Sequence, residues 1–406
     1  MSPDLGSRFS KRRRIAIIVT LGLLTGLGPF TIDLYLPAFP ALKGDLGITD
    51  AQVQVTLSAT TLGFALGQLV IGPWSDRIGR RIPLIVASSL HVAASVLVAI
   101  APNVEFLTAM RALQGIGAAG GAVVAMAMAR DLFDGRALVK TLARLSLISG
   151  LAPILAPIIG SVLVSVMSWR GVFWALALYG AVIIALVLRF TVETRPPAER
   201  TRGGIGPLLR SYRTVVSDRI FVGALLTAAF GFAGLFSYVS TSSVLLQEVY
   251  GLSAQGFGAV FATCSVGIFA GIQAGARLAL RFGSQWMIAW GNTLMIVAAS
   301  GVVAVGFVDG PLFALVPFMF AYTLGVGFCI PNNNVLALQR HRTASGVAAS
   351  LMGSSSMLAG SLVGPIIGSF ELNDATPMGL AMLICAVLAG ASLWLVLRPH
   401  RFSTAG

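Results

Sequence analysis

Asp33 lies in the run Gly28-Pro29-Phe30-Thr31-Ile32-Asp33-Leu34-Tyr35-Leu36-Pro37, near one end of the first long apolar stretch. The chain has 15 acidic residues, and this is the only one well inside such a stretch. A carboxylate in hydrocarbon is costly, so an acid kept there faces a cavity and handles ions or protons. Arg111 lies about two turns inside the fourth apolar stretch, at the depth of Asp33, so a direct or water-bridged pair is geometrically possible. An arginine stays charged and either tunes a neighbouring carboxylate or receives one from a bound molecule. Gln114, one turn further along, shares its face. Reversible proton binding at Asp33, in competition with a ligand held by Asp33, Tyr35, Arg111 and Gln114, is the chemistry these types suggest.

Other candidates carry bland readings beside functional ones. His91, within the third stretch, reads first as a histidine satisfied between helices, and second as a proton relay. Phe230, Phe232, Phe236, Tyr238, Phe261 and Tyr322 can line an apolar pocket, although most of the 23 Phe must face lipid or neighbouring helices. Asn332-Asn333-Asn334, after Pro331, reads as the inner end of the tenth stretch. Cys264, Cys329 and Cys385 have no metal-ligand spacing and read as small packing residues. An intramembrane enzyme needs a nucleophile–base set or metal ligands at membrane depth. Only three His exist, and two of them, His341 and His400, sit at stretch ends.

The elements that must hold these residues follow from composition. The 406 residues are 56% hydrophobic and 11% charged, against about 25% charged in an average soluble chain. A mean hydropathy of +0.87 makes lipid the solvent. Runs near the 20 residues that a spanning helix needs recur at 15–39, 52–74, 82–101, 105–129, 141–167, 172–192, 219–245, 256–281, 285–307, 312–336, 343–370 and 377–397. The expected fold is therefore an all-α membrane protein of 12 transmembrane helices.

Of 28 basic residues, 25 fall on one side of this layout, including Arg8, Lys11, Arg12, Arg13 and Arg14 ahead of the first span and Arg342 and Arg401 further on. Lys43 and Arg170 fall on the other side, and Arg111 within a span. The positive-inside rule places that basic side, with both termini, in the cytoplasm. It accounts for the net charge of +13 without nucleic acid. The basic N-terminus leads into a span too long for a signal peptide. The expected organisation is a tail at 1–14, six helices at 15–192, a cytoplasmic central loop at 193–218, six helices at 219–397 and a tail at 398–406. An internal repeat supports two pseudo-symmetric bundles. Ala156-Pro-Ile-Ile-Gly-Ser161 returns 208 residues later as Gly364-Pro-Ile-Ile-Gly-Ser369. Asp76-Arg77-Ile78-Gly79 has a worn echo in Leu280-Arg281-Phe282-Gly283, where Leu280 replaces the acid.

The turn Gly72-Pro-Trp-Ser-Asp76-Arg77-Ile-Gly79-Arg80-Arg81 has two glycines that permit close approach and tight reversal. Its acid can face a helix N-terminus, and its arginines can anchor at an anionic leaflet. The turn closely resembles the signature loop of the major facilitator superfamily, where it acts as a conformational latch. That resemblance implies the same for Gly72, Asp76, Arg77, Gly79 and Arg80. Arg111-Ala-Leu-Gln114-Gly115 looks like the superfamily's fourth-helix motif, in which the arginine takes part in proton coupling. Gly150-Leu-Ala-Pro153-Ile-Leu-Ala-Pro157-Ile-Ile-Gly160 reads as a bent, closely packed helix. It resembles the antiporter motif of the drug:proton exporters.

Thr31 to Pro40, with Ser168-Trp169-Arg170, Phe173 and Arg130-Asp131, looks like the bicyclomycin and chloramphenicol resistance branch. What the resemblance implies is a proton-coupled exporter of small amphipathic drugs, phenicol- or bicyclomycin-like. It implies a monomer in the inner membrane, with protons as the only coupling species and no metal or organic cofactor. Related exporters sometimes carry a second acid deeper in the first helix. Here the inward positions are Phe30, Pro29 and Gly26, which implies a single carboxylate and one proton per cycle. An exporter or facilitator of a sugar or amino-acid derivative stays open as the alternative.

Overall fold

The computed structural model describes residues 9–200, 205–341, 344–370 and 372–399. Arg8, Arg202, Arg342, His400 and Arg401 lie outside them. The described chain is helical without a strand, and twelve of its helices are long and apolar enough to cross a membrane. Lipid offers no partners to backbone polar groups, so helices that satisfy them internally are the form an apolar chain of this length takes.

The first six spans comprise α1 (Lys11–Asp33), running through the short α2 (Phe39–Leu46), then α3 (Asp50–Ile78), α4 (Arg81–Ala99), α5 (Val104–Leu132), α6 (Gly135–Val166) and α7 (Trp169–Phe190). After α8 (Ile205–Val216) come α9 (Arg219–Val244), α10 (Ala254–Phe282), α11 (Ser284–Phe307), α12 (Leu312–Gln339), α13 (Ser345–Gly368) and α14 (Thr376–Ala391). By packing, the chain divides into one unit of residues 1–42 and 59–202 and another of 43–58 and 203–406. In the first, α1 packs on α5, α6 and α7, and α4 on α5 and α7. In the second, α9 packs on α12, α13 and α14, and α12 lies between α10 and α11.

Three expectations change in detail. The first span is not one helix, because α1 stops at Asp33 and a tight turn at Leu36–Ala38 leads into α2. Pro37 has no N–H to continue the ladder and disfavours helix at the residue before it. The central segment is not all loop: it holds α8, which packs on α9 and α13. The Asn332–Asn334 run does not end its span. The helix α12 continues to Gln339, with Asn332 and Asn333 buried.

Small residues set the spacing around α5. A side chain on Gly115 would run into the carbonyl of Thr60 on α3, and one on Gly63 of α3 into that of Ala112. On the opposite face, a Cβ at Gly117 would come within 2.6 Å of the His91 backbone nitrogen on α4. This close approach lets helices pack without large side chains between them. It also fixes the height at which Arg111 enters the first unit.

Candidate functional site

Asp33 is the last residue of α1 and only 7% exposed. Among the described residues, no ion pair or side-chain hydrogen bond reaches its carboxylate. The direct Asp33–Arg111 pair that the matched depths allow is not formed. Arg111 is fully buried and turned elsewhere. Its Nη1 donates to the carbonyl of Thr31 at 3.1 Å and to Gln114 Oε1 at 2.5 Å. Its guanidinium carbon lies 4.2 Å from the centre of the Tyr35 ring and 5.4 Å from that of Phe173. The reason is the early end of α1. Carbonyls in a helix's last turn have no partner within the helix, and a cation there is favoured by the dipole. Arg111 supplies that partner two residues before the acid.

The bonds continue into a closed ring across three helices. Gln114 Nε2 donates to Ser95 Oγ at 2.7 Å, and Ser95 Oγ donates to the carbonyl of His91 at 2.7 Å. His91 Nε2 lies 2.9 Å from Thr31 Oγ1, back on α1. His91 sits between helices, but the reading of a satisfied histidine holds only in part: Nε2 has its partner, while Nδ1 is buried without one beside Gly180. Thr31, Ser95 and His91 are thus parts of the site that sequence reasoning did not assemble. The available signal was depth, since each lies within about two turns of a helix end, as Arg111 does, on a helix that packs against α5 or α1.

Tyr35 is completely buried, its ring 4.9 Å from Phe39 and 5.5 Å from Phe173. The double-proline helix reaches the same spot. A side chain on Gly160 of α6 would collide with the carbonyl of Leu34, the residue after Asp33, and lie 3.3 Å from Pro37. The helix runs unbroken through Pro153 and Pro157, and Gly150 lies on the same helix. Gly160 therefore seats α6 against the backbone that presents the acid.

The glycine-rich turn between α3 and α4 forms a second cluster in the first unit. Gly79 holds φ +104°, where a side chain would be strained and would meet the Glu193 carboxylate. Arg80 is nearly buried and branches three ways: Nε to Asp131 Oδ2 at 3.0 Å, and Nη1 to Asp76 Oδ1 at 2.7 Å and Ser75 Oγ at 2.8 Å. Arg195 also pairs with Asp76 at 2.7 Å, and Thr194 Oγ1 donates to Asp131 at 2.9 Å. Asp76 meets arginines rather than a helix N-terminus. Glu193 takes that place, accepting the amides of Arg80 at 2.7 Å and Arg81 at 3.2 Å at the start of α4. Partial burial pushes the Glu193 carboxyl up, but the amides of Arg195, Arg80 and Arg81 and the charge of Arg200 outweigh it and hold it below its usual 4.5. Sequence reasoning gave Glu193 no role. Its place in the first residues after α7 was the one clue. Gly72, and Arg77 in the last turn of α3, lie on the α3 arm of this turn.

In the second unit, the candidate aromatics do not converge on one opening. Tyr238 and Phe261 stack at 5.3 Å, and Phe236 packs against Phe232 at 6.2 Å. Tyr322 Oη lies 3.5 Å from the carbonyl of Met382, and a side chain on Gly234 would collide with it. Phe236, Tyr238, Phe261 and Tyr322 are interior, whereas Phe230 and Phe232 are half-buried. The three cysteines are buried and free.

Twelve apolar helices, arranged as two six-helix halves and holding a buried acid and a buried guanidinium on facing helices, define a membrane transporter. The chain belongs to the Major Facilitator Superfamily, whose profile matches residues 21–364. It is 33% identical to the uncharacterized MFS-type transporter YdgK of Bacillus subtilis (strain 168), over 94% of this chain and 96% of that one. It is 30% identical to a bicyclomycin resistance protein homolog of Haemophilus influenzae, over 92% and 94%. Multidrug resistance protein D of Escherichia coli (strain K12) is 27% identical over 93% and 95%. Among solved structures, a bacterial homolog of the human lysosomal transporter Spinster superposes with a TM-score of 0.76 at 18% identity, covering 96% of this chain and 98% of that one. A D-xylose-proton symporter gives 0.76 at 14%, covering 95% and 98%. At such identities these two structures speak for the fold alone.

Proposed function

We propose that this protein is a proton-coupled antiporter that exports small amphipathic drugs, phenicol- or bicyclomycin-like in chemistry, by alternating access. It works as a monomer in the cytoplasmic membrane, with both termini in the cytoplasm and the proton as its only coupling species. Asp33 binds a proton while open to the outside. Open to the inside, it releases the proton as the drug takes the site formed by Asp33, Tyr35, Arg111 and Gln114. The Gly72–Arg80 turn serves as the conformational latch, through its ties to Asp131 and to the segment after α7.

The observation that carries this reading is the state of Asp33. It is an acid at membrane depth with no ion-pair partner among the described residues, next to backbone that both Arg111 and Gly160 grip. A structural carboxylate in lipid would be paired, whereas one that must gain and lose a proton has to stay available. The names of the resistance-protein relatives support drugs as the cargo.

Everted membrane vesicles test it. With an imposed proton gradient, wild-type vesicles accumulate chloramphenicol and lose it on adding an uncoupler. Asp33→Asn vesicles should fall to background while the protein stays in the membrane. Gradient-driven accumulation at the wild-type rate in Asp33→Asn would remove the coupling role. Accumulation that ignores the gradient in wild type would favour a facilitator.

A further inference from the structure

His91 is fully buried on α4, and the exchange at Asp33 gives it no part. Its neighbours fix where its hydrogen sits. Thr31 Oγ1 lies 2.6 Å from the carbonyl oxygen of Leu27 and 2.9 Å from His91 Nε2. Two oxygens that close share a hydrogen, and a carbonyl has none to give. The Thr31 hydroxyl therefore donates to Leu27 and can only accept from His91. The hydrogen between Nε2 and Oγ1 belongs to the histidine.

The other ring nitrogen is closed off. Nδ1 is buried with no hydrogen-bond partner among the described residues. On that side α7 passes at Gly180, where a Cβ would come 3.1 Å from Nδ1 and 2.7 Å from Val92 Cγ2, so a bridging water has no room there. A bare Nδ1 leaves one acceptor unmet, whereas a protonated one would leave a charged donor unmet, which costs more. A relay takes a proton at one nitrogen and passes it on from the other, and only Nε2 is connected. Of the helices that meet the ring, α5 brings the Arg111 cation and α1 ends at Asp33, two residues beyond Thr31.

The remaining bonds then run one way. Ser95 Oγ donates to the carbonyl of His91 and so accepts Gln114 Nε2, while Gln114 Oε1 accepts Arg111 Nη1. Two donors converge on Thr31: Arg111 on its carbonyl and His91 on its hydroxyl.

We infer that His91 is a positioning residue, a neutral Nε2–H donor that holds the Thr31 side chain while Arg111 holds its carbonyl. Together they set how the last turn of α1 presents Asp33. His91 carries no proton in the transport cycle. This role rests on the export reading, but the tautomer does not.

The test pairs vesicle export with ¹⁵N-histidine spectra of the full-length protein in nanodiscs. The amide nitrogen of Gln reaches as far along the side chain as Nε2 and cannot titrate, whereas that of Asn stops one bond short. His91→Gln should keep export within about twofold of wild type, with the same pH profile. His91→Asn and Thr31→Val should each lower it about tenfold, the scale of one lost buried hydrogen bond. The double variant should fall no further than either single one, because both remove the same bond. In the spectra, the His91 signals, assigned by their loss in His91→Gln, should show a bare Nδ1 and a protonated Nε2 from pH 6 to 8. Melting temperatures identify any variant that fails to fold, and the two single variants act from different helices. A pH profile displaced in His91→Gln, or a protonated Nδ1, would overturn the inference and make His91 a titrating group. Full export in both His91→Asn and Thr31→Val would also overturn it, while the exporter reading would stand on Asp33→Asn. If wild-type vesicles show no gradient-driven export, the exporter reading falls and takes the positioning role with it, and the spectra still decide the tautomer.

Discussion

The two units use one helical plan for different interiors. Adding 208 to the residue numbers carries the start of α1 onto that of α9 and the start of α5 onto that of α12. The same step takes Asp33 to Thr241, Arg111 to Met319 and Gln114 to Tyr322. Thr241 bonds the carbonyl of Ser237 on its own helix, and Met319 and Tyr322 are fully buried packing residues. At the α10–α11 turn, Gly283 keeps φ +88° as Gly79 keeps +104°. Yet Leu280 is 91% exposed where Asp76 binds two arginines. The backbone device survives in both units, while the charges survive in one. A buried charge network is expensive and depends on complete partners, so where those partners are missing, hydroxyls, methionines and aromatics fill the matching positions of the second unit.

The sharpest way to break this contrast is Arg111→Leu against Met319→Leu. The first leaves Thr31 O and Gln114 Oε1 without their donor, and an orphaned buried acceptor costs about 1–3 kcal/mol. It also removes the buried cation that bonds the backbone two residues before Asp33. Gradient-driven export should fall to background, with a clear drop in melting temperature. Met319→Leu conserves volume and should cost less than about 1.5 kcal/mol while transport continues. Comparable transport losses in the two variants would mean that the first unit's charge has no special role.

A smaller effect should separate the two copies of the Pro-Ile-Ile-Gly-Ser motif. Gly160→Ala drives a methyl into the carbonyl of Leu34, which is backbone and cannot swing aside. Overpacking of this kind costs typically 1–3 kcal/mol, and here it displaces the residue after Asp33. Gly368→Ala, the same position in the second copy, comes within 2.8 Å of the Ala51 Cα and 3.1 Å of the Gln54 side chain, a looser contact than the one with the Leu34 carbonyl. Export rates in the vesicle assay should fall several-fold for Gly160→Ala and less for Gly368→Ala, which displaces backbone away from Asp33. Equal losses would show that the motif acts through packing alone.

Much of this was legible in the residue pattern. Hydropathy located all twelve spans, because a helix in lipid must be apolar along its length. The Arg111–Gln114 bond follows from i, i+3 spacing on one helix. The echo of Gly79 in Gly283 follows from a turn that only glycine holds easily. What stayed hidden were partners supplied by other helices. The carbonyl of Thr31 becomes an acceptor only because α1 ends at Asp33, which is set by packing around Pro37. Asn333 read as a polar helix end because nothing local reveals that α12 continues past it. Glu193 is more than a hundred residues from the amides it caps, a pairing that no periodicity encodes.

Glu193 offers the finest test, because the second unit has no equivalent of its cap on the signature turn among the described residues. Its carboxyl lies below the usual 4.5 in the folded protein. It therefore binds a proton more weakly folded than unfolded, and its stabilising effect is complete above about pH 4.5 and is lost as the pH falls through the folded value. The carboxyl is largely exposed, so solvent screening keeps the effect modest. Melting temperatures of wild type and Glu193→Gln should differ by a small, constant amount between pH 7 and 5. Below pH 4.5 the gap should narrow, as the wild-type side chain also becomes neutral. Other carboxylates titrate in this range in both proteins, so the difference between the curves isolates Glu193. A gap that stays constant to pH 3 would mean that the cap does not depend on charge, and that the arginine contacts of Asp76 and Asp131 alone distinguish the two turns.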